Sequence, residues 1–178
     1  AREWFDALAE LGVYGLSVSE EKGGAGMGML PFVAALESIG AQSSSLARLW
    51  IGQMQAALVL EDTGSDLLDE VAAGDKLVTF AGREHGFTVA GGKLTGKALM
   101  VPAAMEADLM IVAATDGDAT VLVSVEAGAC ERSALRGLGL NSAACGAVTC
   151  EGVAATVLAS GDDASTAIDR AELTAWLG

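Results

Sequence analysis

The sequence predicts an α+β chain, helical first and strand-built second. Three observations predict it. Apolar residues recur at three- and four-residue steps through the first 74 residues. From Leu77 they come in short, partly β-branched runs bounded by turn residues. From Ser165 a helical spacing returns in Ala167, Ile168, Leu173, Trp176 and Leu177. The expected division is a helical segment over 1–74, a small β-barrel or sandwich over 75–161, and the start of a further helical segment over 162–178.

Taken in order, Trp4, Phe5, Leu8 and Leu11 lie on one helical face, and Gly12 stops that helix. An apolar run from Val13 to Val18 leads through Glu20, Glu21 and Lys22 into a loop with four glycines between Gly23 and Gly28. Such a loop serves either as a tight connection or as a place where backbone must approach another group. It is no phosphate cradle, because neither G-x-x-x-x-G-K-[ST] nor G-x-G-x-x-G is present. A second helix begins near Pro31, with Phe32, Val33, Leu36 and Ile39 on its apolar face, and Gly40 ends it. Leu46, Leu49, Trp50, Met54, Ala57 and Leu58 mark a third helix, with Trp50 a core or interface aromatic. Gly64 breaks it, and Ser65 or Asp66 is the expected N-cap of a short helix through Leu67, Leu68 and Val71 to Gly74.

The strand signals follow. Leu77 to Ala81 is apolar, and Gly91-Gly92 between Phe87–Ala90 and Lys93–Thr95 reads as a two-residue hairpin. Leu109 to Ala113 reads as a buried strand, turned by Asp116-Gly117 into Thr120 to Val125. Cys130 to Leu135, Ala147 to Val153 and the neighbourhood of Val157-Leu158 supply the rest.

Composition narrows the functional classes. The chain has 178 residues, 52% of them hydrophobic, with mean hydropathy +0.44, yet no apolar run reaches the length of a membrane span. Nor does it open on a basic stretch followed by an apolar core, so no signal peptide is expected. Net charge is −14 and the ten basic residues are scattered, which argues against nucleic-acid binding. Cys130, Cys145 and Cys150 fit neither a C-x-x-C nor a zinc spacing; they are expected as reduced thiols of a cytoplasmic protein, two of them half-buried in strands. His85 is the single histidine, which leaves neither a metal site nor a Ser–His–Asp triad a supporting cast.

The order of segments and a long string of residues together resemble the acyl-CoA dehydrogenase family. The string is Leu11, Gly12, Gly15, Glu20, Glu21, Gly23, Gly24 and Gly26, then Glu37, Ile39 and Gly40 in the following helix. Ser19 stands where that family has proline and Lys22 where it has an aromatic. Gly74-Asp75-Lys76 before a strand, Gly92-x-Leu94-x-Gly96, Glu106-Ala107-Asp108 before an apolar strand, and Gly137 to Ser142 with Val148, Gly152 and Val153 extend the resemblance across the chain.

The resemblance implies an N-terminal all-α domain, a β-barrel or sandwich middle domain and the first turns of a C-terminal helical domain. It implies FAD-dependent α,β-desaturation of an acyl-CoA thioester in fatty acid or lipid β-oxidation, with electrons passed to an electron-transfer flavoprotein. It also implies a dimer-of-dimers oligomer. By alignment the flavin would be held by Gly82, Arg83, Met100, Val101 and Pro102. Here the sequence departs from the family. Arg83, Glu84 and His85 replace Thr/Ser-Glu-Pro, the following Gly-Ser-Asp is missing, and Met100-Val101-Pro102 replaces Trp-Ile-Thr, with Ala98 for lysine. Proline supplies no N–H, whereas methionine can still offer an apolar surface. The catalytic base of the family is a carboxylate in the C-terminal helical domain, so no residue is assigned to it; Glu37 and Glu84 are candidates by type only. Some actinobacterial members of the family pair unlike subunits, one of which has lost flavin contacts, and this chain is also read as such a non-catalytic partner. A third reading is a small acyl- or coenzyme-binding β domain under a helical cap.

Overall fold

The computed structural model describes residues 1–137 and 139–177. Leu138, in the resemblance string, and Gly178, the end of the third expected segment, lie outside the described residues. Helix α1 spans Arg2–Glu10, and Gly12 beyond it adopts φ 68°, the left-handed stop that the sequence predicts. Helix α2 spans Met29–Gly40, so it begins two residues ahead of Pro31. It buries Phe32 and Leu36 fully, with Val33 and Ile39 half-buried.

Helix α3, Ser44–Thr63, is the axis of the molecule. The Ser43 hydroxyl caps it by accepting the Leu46 N–H at 3.2 Å, and Gly64 at φ 62° ends it. Every residue from Leu49 to Leu60 is buried, so α3 is enclosed on all sides rather than amphipathic. Helix α4, Leu68–Ala73, starts one residue later than the expected caps, with Leu67 as N-cap. The Ser65 hydroxyl still accepts the Leu67 N–H, at 3.4 Å, because the chain tightens there before turning helical.

Eight strands follow: β1 Val78–Ala81, β2 Phe87–Ala90, β3 Lys93–Val101, β4 Leu109–Asp116, β5 Ala119–Glu126, β6 Glu131–Ala134, β7 Gly146–Ala154 and β8 Thr156–Ser160. Helix α5, Gly161–Leu177, closes the chain. The strands form one sheet in the order β6-β7-β3-β2-β4-β5-β8. Strands β1 and β2 both run parallel to β4, end to end along the same side of it, interrupted by the loop from Gly82 to Gly86. The Gly91-Gly92 hairpin is present with both residues at positive φ, 58° and 73°.

Alternation along the strands sends side chains to two different cores. Leu109, Ile111 and Ala113 of β4 pack with Val78, Phe80 and Leu122 against α3, α4 and α5. Met110, Val112 and Ala114 point the other way, into a cluster with Val121, Val123, Leu94, Val101 and Val148. Residues from β3, β4, β5 and β7 meet in that second cluster, so the sheet curls over its own interior in the manner of an open barrel. The third core belongs to α1, α2 and α3, where Phe32 meets Trp50 edge-on at 5.1 Å.

The helical spacing expected from Ser165 is present in α5, and one expectation, that two cysteines are half-buried in strands, is corrected. Leu173 and Trp176 are exposed, at 59% and 87%, while Ala164, Ala167, Ile168 and Ala171 form the buried stripe of α5. Small residues face inward because α5 lies close against α3 and the sheet. All three cysteines are fully buried, and only Cys150 lies in a strand; Cys130 and Cys145 sit just ahead of β6 and β7.

Glu61, near the end of α3, holds the glycine loop to α5. Its carboxylate accepts the Ser19 N–H at 2.7 Å and pairs with Arg170 at 3.1 Å. Burial pushes this carboxyl up, but the Ser19 N–H and Arg170 outweigh it and hold it below its ordinary value. Asp62 also bonds Arg170, yet burial and the Glu61 charge leave it above its ordinary value. The two act on stability in opposite senses. The Glu61 contribution is present above the unfolded pKa near 4.5 and is lost as pH falls through the lower folded value. Asp62, ionised, costs stability that returns as it protonates. Glu61→Gln is therefore expected to lower stability by about 1–2 kcal/mol at neutral pH, with the gap to wild type narrowing in urea titrations run progressively below pH 4.5. A gap independent of pH would contradict this assignment.

Candidate functional site

The expected flavin positions come from two places in the sheet. Gly82 leaves β1 in extended backbone and caps the short 3-10 turn Arg83–His85. A Cβ on Gly82 would run into the Glu84 carboxylate and come within 3.1 Å of Glu172 Oε1, so only glycine lets those carboxylates fold back over the strand end. Arg83 is drawn toward α5. Its guanidinium pairs with Asp169 at 2.6 Å and Glu172 at 3.1 Å and donates to the Ser165 carbonyl at 3.1 Å, while its backbone N–H donates to Glu172. Its charge is thus balanced within the chain. Glu84 pairs with His85 at 3.2 Å. Glu37 is exposed on α2.

Met100, Val101 and Pro102 end β3 beyond a bulge between Ala98 and Val101. The bulge leaves Leu99 and Met100 about half exposed, Met100 at φ 57°, and buries Val101 and Pro102. Strand β2 pairs with β3 only near their shared hairpin. Beyond it β3 follows β7 while β1 follows β4, with β1 and β3 still neighbours. A flavin ring lodged on this face needs an apolar surface and donors at its polar edge. Leu99 and Met100 provide the surface. Two of the expected positions offer no free donor: Pro102 has no N–H, and the Arg83 donors are spent on α5. At these two positions the donor set does not fit the cofactor.

The residue that the sequence reading passed over is Arg48. It is the only basic residue of α3, and a cation inside an otherwise buried helix was the available signal. Between α3, α5 and the end of β1 lies a cavity of about 380 Å³ lined by Arg48, Gln55, Phe80, Gly82, Glu84, Glu172, Ala175 and Trp176. It shares Arg48, Ala175 and Trp176 with a groove of about 710 Å³ that runs past Leu36, Ala47 and Ile51 to Leu140. Burial pushes the Arg48 guanidinium below its ordinary value, against the opposing pull of Cys145 and Glu84, and among the described residues no side chain hydrogen-bonds to it. An arginine stays charged even so. The cleft therefore presents apolar walls around one cation, with Glu37, Glu84 and Glu172 also on its lining; Glu84 and Glu172 are paired with His85 and Arg83, which leaves Arg48 as the group an amphipathic anion would meet. No cluster of His, Cys, Asp and Glu among the described residues could hold a metal ion, and no described helix is long and apolar enough to cross a membrane.

Residues 1–70 match the family model described as acyl-CoA dehydrogenase, N-terminal domain. No curated protein sequence matches the chain. Among solved structures, a glutaryl-CoA dehydrogenase from Mycobacterium smegmatis in complex with FADH2 is 19% identical, with TM-score 0.82 over 100% of this chain and 53% of its own. Butyryl-CoA dehydrogenase from Megasphaera elsdenii is 17% identical, with TM-score 0.82 over 99% of this chain and 56% of its own. The ChsE4-ChsE5 complex from Mycobacterium tuberculosis is 24% identical, with TM-score 0.74 over 99% of this chain and 50% of its own. The chain spans about half the length of these structures.

Proposed function

From a chain with the acyl-CoA dehydrogenase fold and that family's N-terminal domain over residues 1–70, we propose a non-catalytic partner subunit of a hetero-oligomeric acyl-CoA dehydrogenase. It contributes an acyl-binding cleft, and the flavin chemistry resides with the partner. The observation that carries this reading is the state of the flavin positions: Arg83 is bound to Asp169 and Glu172, and Pro102 lacks a donor. The cleft at Arg48 supplies the binding role. Its guanidinium meets an anionic group of an acyl thioester while Phe80, Ile51 and Trp176 line the path of the chain. The protein acts in the cytoplasm, in lipid metabolism.

The test begins with the visible spectrum. Purified alone, the chain is expected to be colourless, and to co-purify with flavin colour only when co-expressed with a flavin-bearing subunit of the same fold. A second reading is a self-contained FAD-dependent desaturase that passes electrons to an electron-transfer flavoprotein. The apolar surface of Leu99 and Met100 favours it, and a yellow protein from the chain alone, bleached by an acyl-CoA, would establish it instead. For the cleft, Arg48→Ala is expected to weaken acyl-CoA binding about 10- to 100-fold, the worth of a charge-assisted hydrogen bond. Calorimetric titration measures it; an unchanged affinity places the ligand elsewhere.

A further inference from the structure

We propose that Cys130 and Cys150 form a reversible disulfide by exchange with a low-molecular-weight disulfide, stapling the edge strand β6 to β7. The two sulfur atoms lie 2.7 Å apart, within about 0.7 Å of a covalent S–S length. Their register explains the approach. Glu131 pairs with Thr149 in the antiparallel β6–β7 ladder, which sets Cys130 and Cys150 directly across from each other. Both are buried in the interior of the sheet, at 7% and 0% exposure, and Cys145 takes no part in the contact.

The exchange balances within the named reactants. The Cys130 thiolate attacks one sulfur of the small disulfide and releases one thiol, leaving a mixed disulfide. Cys150 then attacks the Cys130 sulfur and releases the second thiol. Two protein thiols are oxidised, one small disulfide is reduced to two thiols, and the two protein protons end on them. Cys130 is suited to attack first. The hydrogen bond from Cys150 and the charge of Arg132 hold its thiol below the ordinary range, whereas Cys150 is pushed up by that same contact and by burial. Access comes through β6, a four-residue strand at the end of the sheet with only β7 as partner. Local opening of such an edge exposes Cys130 without unfolding the sheet.

The bond closes the segment between positions 130 and 150. That segment carries Leu140, a wall of the Arg48 groove, and Ala143, whose carbonyl accepts the Ala103 N–H at 2.8 Å. The staple therefore fixes one side of the cleft, although its formation does not depend on what the cleft binds.

The whole chain, incubated with oxidised glutathione and then alkylated in denaturant, is expected to show one reactive thiol, at Cys145, where the reduced chain shows three. Peptide mapping should join Cys130 to Cys150. Closing a loop of this span should raise Tm by roughly 6–12 °C, reversed by dithiothreitol. Cys145→Ala should leave the link intact, and Cys150→Ala should leave Cys130 carrying one glutathione. Three alkylatable thiols after oxidation, a wild-type chain that stops at the mixed disulfide, or a link through Cys145 would each overturn the proposal. The wild-type and Cys145→Ala measurements decide it even if Cys150→Ala does not fold.

Discussion

Gly24→Ala is expected to destabilise the protein by about 3–5 kcal/mol, lowering Tm by roughly 10 °C or more. A Cβ at this position would strike the Val18 carbonyl oxygen and lie 2.5 Å from Val18 Cβ and 2.6 Å from the Val18 carbonyl carbon. Neither the carbonyl nor the β-branched side chain can swing aside as a flexible chain end could. The glycine loop would have to lift from the 15–19 segment. That motion breaks the bonds from Gly24 N to Ser19 O, Ala25 N to Gly15 O, Gly26 N to Val18 O and Met27 N to Leu16 O, all between 2.8 and 3.1 Å. It also displaces Ser19 from Glu61. Gly23→Ala is the control: its φ is +81° but nothing lies within 4 Å of the added Cβ, so only backbone strain of about 1 kcal/mol is expected. Thermal melts of the two variants separate the effects. Equal losses would mean that the close approach at Val18 is unimportant. The same bonds show why this loop is no anion cradle, since its N–H groups are consumed within the chain.

Gln53→Leu is expected to cost about 3–6 kcal/mol, a large fraction of the stability of a domain this size. Gln53 is fully buried on α3, and its amide serves three backbone groups at once. Nε2 donates to the Val71 and Lys76 carbonyls, both at 2.9 Å, and Oε1 accepts the Val78 N–H at 2.8 Å. One side chain thereby joins the end of α4 and the start of β1 to the central helix. Leucine fills the space and satisfies none of the three, and the bonds to Val71 and Val78 are buried. Gln55→Leu removes one bond, to the Ala171 carbonyl at 2.9 Å, and should cost about 1–2 kcal/mol. Urea denaturation of both variants tests the ranking, and a Gln53→Leu loss no larger than that of Gln55→Leu refutes it. Because Gln53 sets β1 against α3, its loss is also expected to loosen the cavity between Phe80 and Arg48.

Much of the fold was legible in the residues because its signals are local. Gly12, Gly64 and Gly74 end helices by adopting positive φ, and Gly91-Gly92 turns a hairpin. Each depends on the backbone freedom of one or two residues, which no distant contact overrides. The long glycine-containing string likewise located the N-terminal domain that the family model matches. The candidate site was less legible. The alignment named Gly82, Arg83, Met100, Val101 and Pro102, but Asp169 and Glu172, the carboxylates that bind Arg83, lie more than eighty positions away. No local pattern announces such a pairing.

The sequence alone determined the order of helices, strands and helix, the places where the chain turns, and that Pro102 brings no N–H to the end of β3. These follow from short-range sterics and from the chemistry each residue type does or does not carry. The tertiary structure decided that α3 is enclosed on every side, that small residues of α5 face inward while Trp176 faces out, and that Arg48 comes to a cleft shared with Glu84 and Glu172. The physical reason is that burial and charge balance are sums over groups far apart in the chain. Such sums are fixed only once the sheet and α5 have closed around the central helix.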